Sequence, residues 1–217
     1  MKKLLVVGDS FMQRDPNFPG QHWSEMLPEY EIILYSEPGS TNGMIAWKFF
    51  QGLKLKPDAV VLGFTWNNRL EFKMDKPGQN GRIWMSNGHT ELTKEQELAV
   101  DYFSVTVDEE MNLFKNCVMA LGLFYTCHAM GIPYAFTLNG LYNDLSGGLT
   151  DPKKPYPHPI VKDTLSPVIH RMCPTNLATY EEFKAVPGFH TDDPEWQQRF
   201  AQEVREILEQ PLTLANK

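Results

Sequence analysis

Near the amino terminus Leu4-Leu5-Val6-Val7 runs directly into Gly8-Asp9-Ser10-Phe11, and this junction is where residue types and spacing could do chemistry. An apolar run that stops at Gly-Asp-Ser reads as a buried strand delivering a serine to the carboxyl edge of a sheet. Gly8 permits a tight turn that a side chain would obstruct, and Asp9 can accept from nearby backbone amides. Ser10 can turn both its hydroxyl and its backbone N–H toward one ligand atom. A serine hydroxyl is a weak nucleophile, so cleaving an ester also requires a base in hydrogen-bond reach and donors for the tetrahedral oxyanion. Gly, Asp and Ser also make ordinary strand-ending turns, so this tripeptide needs support from residues farther along the chain.

Three later segments supply that context. Ser36-Glu37-Pro38-Gly39-Ser40-Thr41-Asn42 comes after the second apolar run, Gly63-Phe64-Thr65-Trp66-Asn67-Asn68 overlaps the end of the third, and Gly188-Phe189-His190 lies near the carboxyl terminus. In this order the chain resembles the SGNH (GDSL-like) hydrolase family. The resemblance implies Ser10 as nucleophile, His190 as base, and an oxyanion hole made by the N–H groups of Ser10 and Gly39 with the side-chain amide of Asn67. The family's short Gly-x-Asn spacing would instead put Thr65 at the donor position, which makes Thr65 the alternate donor. Where the family has an Asp three residues before the histidine, this chain has Pro187. The acid role then falls to Asp192 or Asp193, or a Ser-His dyad works with a backbone carbonyl. Asp193 before Pro194 also suits plain helix initiation. Arg69 is expected to brace its loop through Glu71, ahead of receiving an anionic substrate group.

The elements that must hold these residues are read from the apolar pattern. Leu4 to Val7, Ile32 to Tyr35, Ala59 to Phe64 and Pro133 to Leu138 are short continuous apolar runs, as expected of parallel strands covered on both faces; Val168 to Met172 is a fifth candidate. Helices are expected over Gln21 to Leu27, Asn42 to Leu53, Asp108 to Met130 and Pro194 to Leu208. In the third, Met111, Phe114, Val118, Leu121 and Tyr125 form the stripe expected to lie on the sheet. In the last, Phe200, Val204 and Leu208 share a face. The alternation predicts a three-layer α/β/α sandwich with a mainly parallel sheet of flavodoxin-like topology, one domain over residues 1–217. Irregular insertions near 72–93 and 139–158 should project over the carboxyl ends of the strands, where open α/β sheets bind ligands. Trp66, Trp84 and Tyr142 are expected to be loop packing ahead of a stacking surface.

Composition narrows the partners. A net charge of -7 disfavours a phosphate-binding surface, so no nucleic-acid partner is expected. Three cysteines, Cys117, Cys127 and Cys173, make no even framework and no paired motif, and the apolar run after Met1-Lys2-Lys3 is too short for a signal peptide, so a reduced cytoplasmic setting is expected. No stretch has the ~20 apolar residues of a membrane helix. The histidines show no ligand spacing and no phosphate-binding glycine loop occurs, so neither metal nor cofactor is expected. The expected activity is a serine esterase or acyl hydrolase on a small polar or carbohydrate ester, with acyl transfer a related possibility. A binding module that keeps the fold and has lost the acid is the alternative, motivated by Pro187.

Overall fold

A computed structural model describes residues 1–16, 19–67, 69–73, 80–83, 94–139, 159–175, 177 and 194–213. Along the chain come β1 (Lys2–Gly8), β2 (Tyr30–Ser36), α1 (Asn42–Leu53), β3 (Ala59–Gly63), β4 (Leu70–Lys73), β5 (Asn80–Ile83), α2 (Lys94–Thr106), α3 (Glu109–Ala129), β6 (Tyr134–Thr137), α4 (Pro159–Leu165) and α5 (Pro194–Glu209). Four strands form a parallel sheet in the order β2-β1-β3-β6, with Val6 opposite Leu34 on one side and Val61 on the other. These are the four apolar runs expected to be strands.

Successive side chains of a strand point to opposite faces, so covering both faces demands an unbroken apolar run. Leu5, Val7, Leu62 and Phe136 meet Ile45 and Phe49 of α1, Phe124 of α3 and Leu165 of α4. Leu4, Val6, Val61 and Ala135 share the other core with Trp23 and with Phe200, Val204 and Leu208 of α5. Each such fully buried Leu, Val or Phe contributes roughly 1.5–3 kcal/mol relative to exposure. The result is the three-layer α/β sandwich, with α1, α3 and α4 on one face and α5 on the other.

The caps fall where turn chemistry places them. Thr41 accepts from the Met44 amide at the start of α1, and Asp108 accepts from Met111 at 2.8 Å at the start of α3. Gly131, at φ 67°, comes just after the end of α3. The segment Gln21 to Leu27 is only a 3-10 turn over Trp23–Met26.

Three expectations are corrected. The fifth strand is absent from the described sheet: Ile169–Arg171 is a 3-10 turn, and Met172 makes one parallel bridge to Phe136. In that turn Arg171 donates to the carbonyls of Ile207, Gln210 and Pro211 at the carboxyl end of α5, an anchorage that accompanies the departure from strand geometry. Within 72–93, expected to be irregular, β4 and β5 form an antiparallel pair with Phe72 opposite Gly81. In α3 the buried positions are Leu113, Cys117, Ala120, Leu123, Phe124 and Cys127, whereas Met111, Phe114, Val118 and Tyr125 are 41–50% exposed. The helix stands where its periodicity predicts it, but of the expected stripe only Leu121 packs against the core, and the buried face is otherwise a different one; α2 and α4 have no counterpart among the expected helices. Residues 140–158 of the second expected insertion lie outside the described residues.

Candidate active site

Three loops meet at the carboxyl edge of the sheet, one of them carrying Ser10. The register aligns Gly8 with Ser36, and Val7 with Leu62, so β1, β2 and β3 end side by side. The chain at the end of β1 tightens at once into a 3-10 turn, Ser10–Met12, with Asp9 as its cap. Asp9 accepts from the Phe11 amide at 3.1 Å, as expected of an Asp in such a turn. A side chain at Gly8 would meet the Met12 side chain at 2.3 Å and the Gly63 carbonyl at 3.0 Å, so the turn closes only over a glycine. Ser10 is half-buried beside these buried neighbours.

The second loop is a turn fastened to the first. The Glu37 amide donates to the Gly8 carbonyl at 3.2 Å, and the Ser40 amide donates to the Glu37 carbonyl at 3.2 Å. Pro38 and Gly39 occupy its centre, and Gly39 has φ 69°, the left-handed conformation that a type II turn requires at that position. From α1, Lys48 donates to Glu37 Oε2 at 2.6 Å and to Ser40 Oγ at 3.3 Å, which ties the turn to the helix.

The third loop is clasped from both sides. Asn42 Oδ1 accepts from the Thr65 amide at 2.9 Å while Asn42 Nδ2 donates to the Thr65 carbonyl at 3.0 Å, a side-chain amide pairing as a strand backbone would. Thr65 Oγ1 donates to Asp9 Oδ2 at 2.9 Å, so its hydroxyl proton is held by the Gly-Asp-Ser turn. Asn67, half-buried, accepts on its carbonyl from Asn112 Nδ2 of α3. Arg69 NH1 reaches Asp9 Oδ2 at 3.2 Å and donates to the Ser40 carbonyl at 2.8 Å. Its guanidinium lies 4.7 Å from the centre of the Trp66 ring, which packs against Phe11 at 5.8 Å. Trp66 is therefore loop packing in the first instance, as expected. Arg69 braces across loops through Asp9, while the side chain of Glu71, its expected partner, lies outside the described residues.

Asp9 is the electrostatic centre of this arrangement. Burial holds its carboxyl above the usual carboxylate range, opposed by the charge of Arg69 and by the Thr65, Phe11 and Arg69 hydrogen bonds. The cysteines lie elsewhere, all buried and unpaired; burial pushes the Cys117 and Cys127 thiols up to about 12, as inert packing groups. Among the described residues no three His, Cys, Asp or Glu side chains converge as metal ligands, and no helix is long and apolar enough to cross a membrane.

Of the anticipated site residues, Ser10, Gly39, Thr65 and Asn67 come to one edge on three loops. His190 and Asp193, with Asp192, Trp84 and Tyr142, lie outside the described residues. Helix α5 begins at Pro194, and its Gln197 accepts from the Trp23 amide at 2.9 Å, within the same core cluster that holds Phe11 and Met12. Sequence reasoning missed the Asn42 clasp and the pairing of Arg69 with Asp9. No local signal marks either one, since each joins positions far apart in the chain.

Three solved structures share this architecture. The crystal structure of TesA superposes with a TM-score of 0.54 at 16% identity, covering 96% of this chain and 98% of that one. The psychrotrophic esterase EstA from Pseudoalteromonas sp. gives 0.52 at 12% identity, covering 96% and 97%. A variant of Axe2, an acetyl-xylooligosaccharide esterase from Geobacillus Stearmophilus, gives 0.52 at 12% identity, covering 99% and 97%. The fold is SGNH hydrolase-like. At these identities the likeness speaks to architecture alone, and function must be argued from the site. No protein-family model and no curated protein matches the chain. Within the SGNH-like fold the Gly-Asp-Ser turn, the Pro-Gly turn and the loop after β3 keep the order and the edge that the sequence resemblance implied.

Proposed function

We propose that this chain is a serine ester hydrolase with Ser10 as nucleophile and His190 as general base. The observation that carries the reading is that the three loops at the carboxyl edge of the sheet are joined through the buried Asp9 carboxylate and Arg69, directly beside Ser10 in the chain. Ser10 Oγ attacks the ester carbonyl while His190 takes its proton. The N–H groups of Ser10 and Gly39 and the Asn67 amide receive the oxyanion. His190 returns the proton to the departing alkoxide, and water then cleaves the acyl-enzyme by the same route. With the Thr65 hydroxyl donating to Asp9, Asn67 is the better side-chain donor. Asp193 orients the imidazole, or a backbone carbonyl does so in a dyad.

The substrate class is a small polar or carbohydrate ester. The polar composition of the 72–93 and 139–158 segments supports this, as do the esterase activities named for EstA and Axe2. The unpaired buried cysteines suit a reducing compartment such as the cytoplasm. A binding module is the second reading, favoured by Pro187 in place of the family's acid. Turnover of p-nitrophenyl acetate and acetylated xylo-oligosaccharides by wild type, Ser10→Ala and His190→Ala decides between them. The hydrolase reading expects both variants to lose on the order of 10⁴- to 10⁶-fold in kcat with folding intact. A wild type without turnover on either ester favours the binding module.

A further inference from the structure

We infer that Arg69 is the positioning residue that sets the oxyanion donors of the three loops relative to one another. The inference rests on the serine hydrolase reading and names what holds that site in register. A single guanidinium nitrogen, NH1, bonds Asp9 Oδ2 at 3.2 Å and the Ser40 carbonyl at 2.8 Å. Each proposed donor stands next to one of these anchors or close to it: Ser10 comes directly after Asp9, Gly39 precedes Ser40, and Asn67 lies two residues before Arg69 itself. Thr65 Oγ1 adds a second link from the Arg69 loop to the same Asp9 oxygen. The guanidinium also lies over the Trp66 ring, 4.7 Å from its centre, which adds a contact on its own loop.

Burial argues that this pair serves geometry rather than bulk stability. The two side chains are 2% and 0% exposed, and a buried ion pair is seldom more stabilising than apolar groups of the same volume. Arg69 also offsets the charge of an ionised Asp9, which would otherwise lie beside the developing oxyanion. Lysine keeps the charge but ends in a shorter, strongly hydrated ammonium and lacks the guanidinium that lies over the Trp66 ring.

The test uses two variants of the full chain. Arg69→Lys retains the cation, and Asp9→Asn combined with Arg69→Gln removes both charges together, so that neither leaves a bare carboxylate in the core. Steady-state kinetics on p-nitrophenyl acetate and the rate of Ser10 labelling by an alkyl phosphonate ester are measured below the melting temperature of each variant. Misplaced donors lower kcat and the labelling rate together, by about 10- to 100-fold, with KM within about twofold of wild type. A merely structural arginine lowers the melting temperature and leaves both rates within twofold, which overturns the inference while the hydrolase reading stands. A wild type that neither turns over nor labels overturns both.

Discussion

Arg69 at the carboxyl edge of the sheet and Arg171 at the carboxyl end of α5 are both buried guanidinium groups, and they are satisfied in different ways. Arg69 meets a carboxylate, Asp9, and the Ser40 carbonyl, and thereby joins loops that carry the proposed chemistry. Arg171 meets the carbonyls of Ile207, Gln210 and Pro211, with the Tyr134 ring 5.8 Å away. A helix end leaves carbonyl oxygens without intrahelical partners, and a cation there completes them and complements the dipole. One arginine therefore joins loops and the other closes an element. Burial of a charge by itself does not mark function; the identity of its partners does.

The largest effect that would break this contrast is at Arg171. Its replacement in Arg171→Met leaves several carbonyls unanswered and should lower unfolding free energy by about 3 kcal/mol, read by urea denaturation. Activity at a temperature where the variant stays folded should be unchanged, and a fall in kcat would place Arg171 in the site after all. Next comes the turn that Arg69 holds. Gly39→Ala forces a side chain into the left-handed region at a cost of about 1–2 kcal/mol, and its kcat should fall by roughly tenfold or more, out of proportion to that loss.

A subtler distinction lies in pH. The folded-state pKa of Asp9 is raised, chiefly by burial and against the opposing charge of Arg69. Its contribution is fully present below the ordinary carboxylate range and is lost as pH rises through the folded value. The stability of wild type relative to Asp9→Asn should therefore decline from about pH 3 upward, whereas the gap between wild type and Arg171→Met should stay flat, since no carboxylate contacts that arginine in its described hydrogen bonds. The smallest effect belongs to the surface pair of Arg205 and Glu29, 2.8 Å apart with side chains 33% and 40% exposed. The hydrogen bond from Arg205 lowers the Glu29 pKa, so this contribution is present above its ordinary value and lost as pH falls through the folded one. Glu29→Gln should cost no more than about 0.5 kcal/mol at neutral pH by thermal melting.

The same contrast explains what could be read from the sequence. The sheet is legible because strands buried on both faces require continuous apolar runs, and Leu4 to Val7 or Ala59 to Phe64 have no other comfortable place. The Gly-Asp-Ser turn is legible because Gly, Asp and Ser each have a local reason to be there. Helix α3 shows the limit. Met111, Phe114, Val118 and Tyr125 repeat as regularly as Leu113, Cys117, Ala120, Phe124 and Cys127, and the second set lies inward. Small residues such as Cys117 and Ala120 weigh little in a hydrophobic pattern, yet they pack closely in the core cluster beneath the helix. Periodicity finds a helix but does not choose between two apolar faces. A bracing role for Arg69 can be read from its loop, but its partner cannot, because Asp9 is a contact of the fold, 60 positions away in the chain. Likewise Val168 to Met172 carries enough apolar residues to suggest a strand, and the contact of Arg171 with the end of α5 in the 3-10 turn found there joins positions far apart in the chain.

The central claim is that Ser10 is an activated nucleophile, and covalent capture tests it most directly. Wild type and Ser10→Ala are incubated with an alkyl phosphonate ester, digested and mapped by mass spectrometry. The account predicts one phosphonyl adduct per chain, on the peptide containing Ser10, absent from Ser10→Ala and slowed in His190→Ala. An unlabelled wild type, or an adduct carried equally by Ser10→Ala, would contradict it.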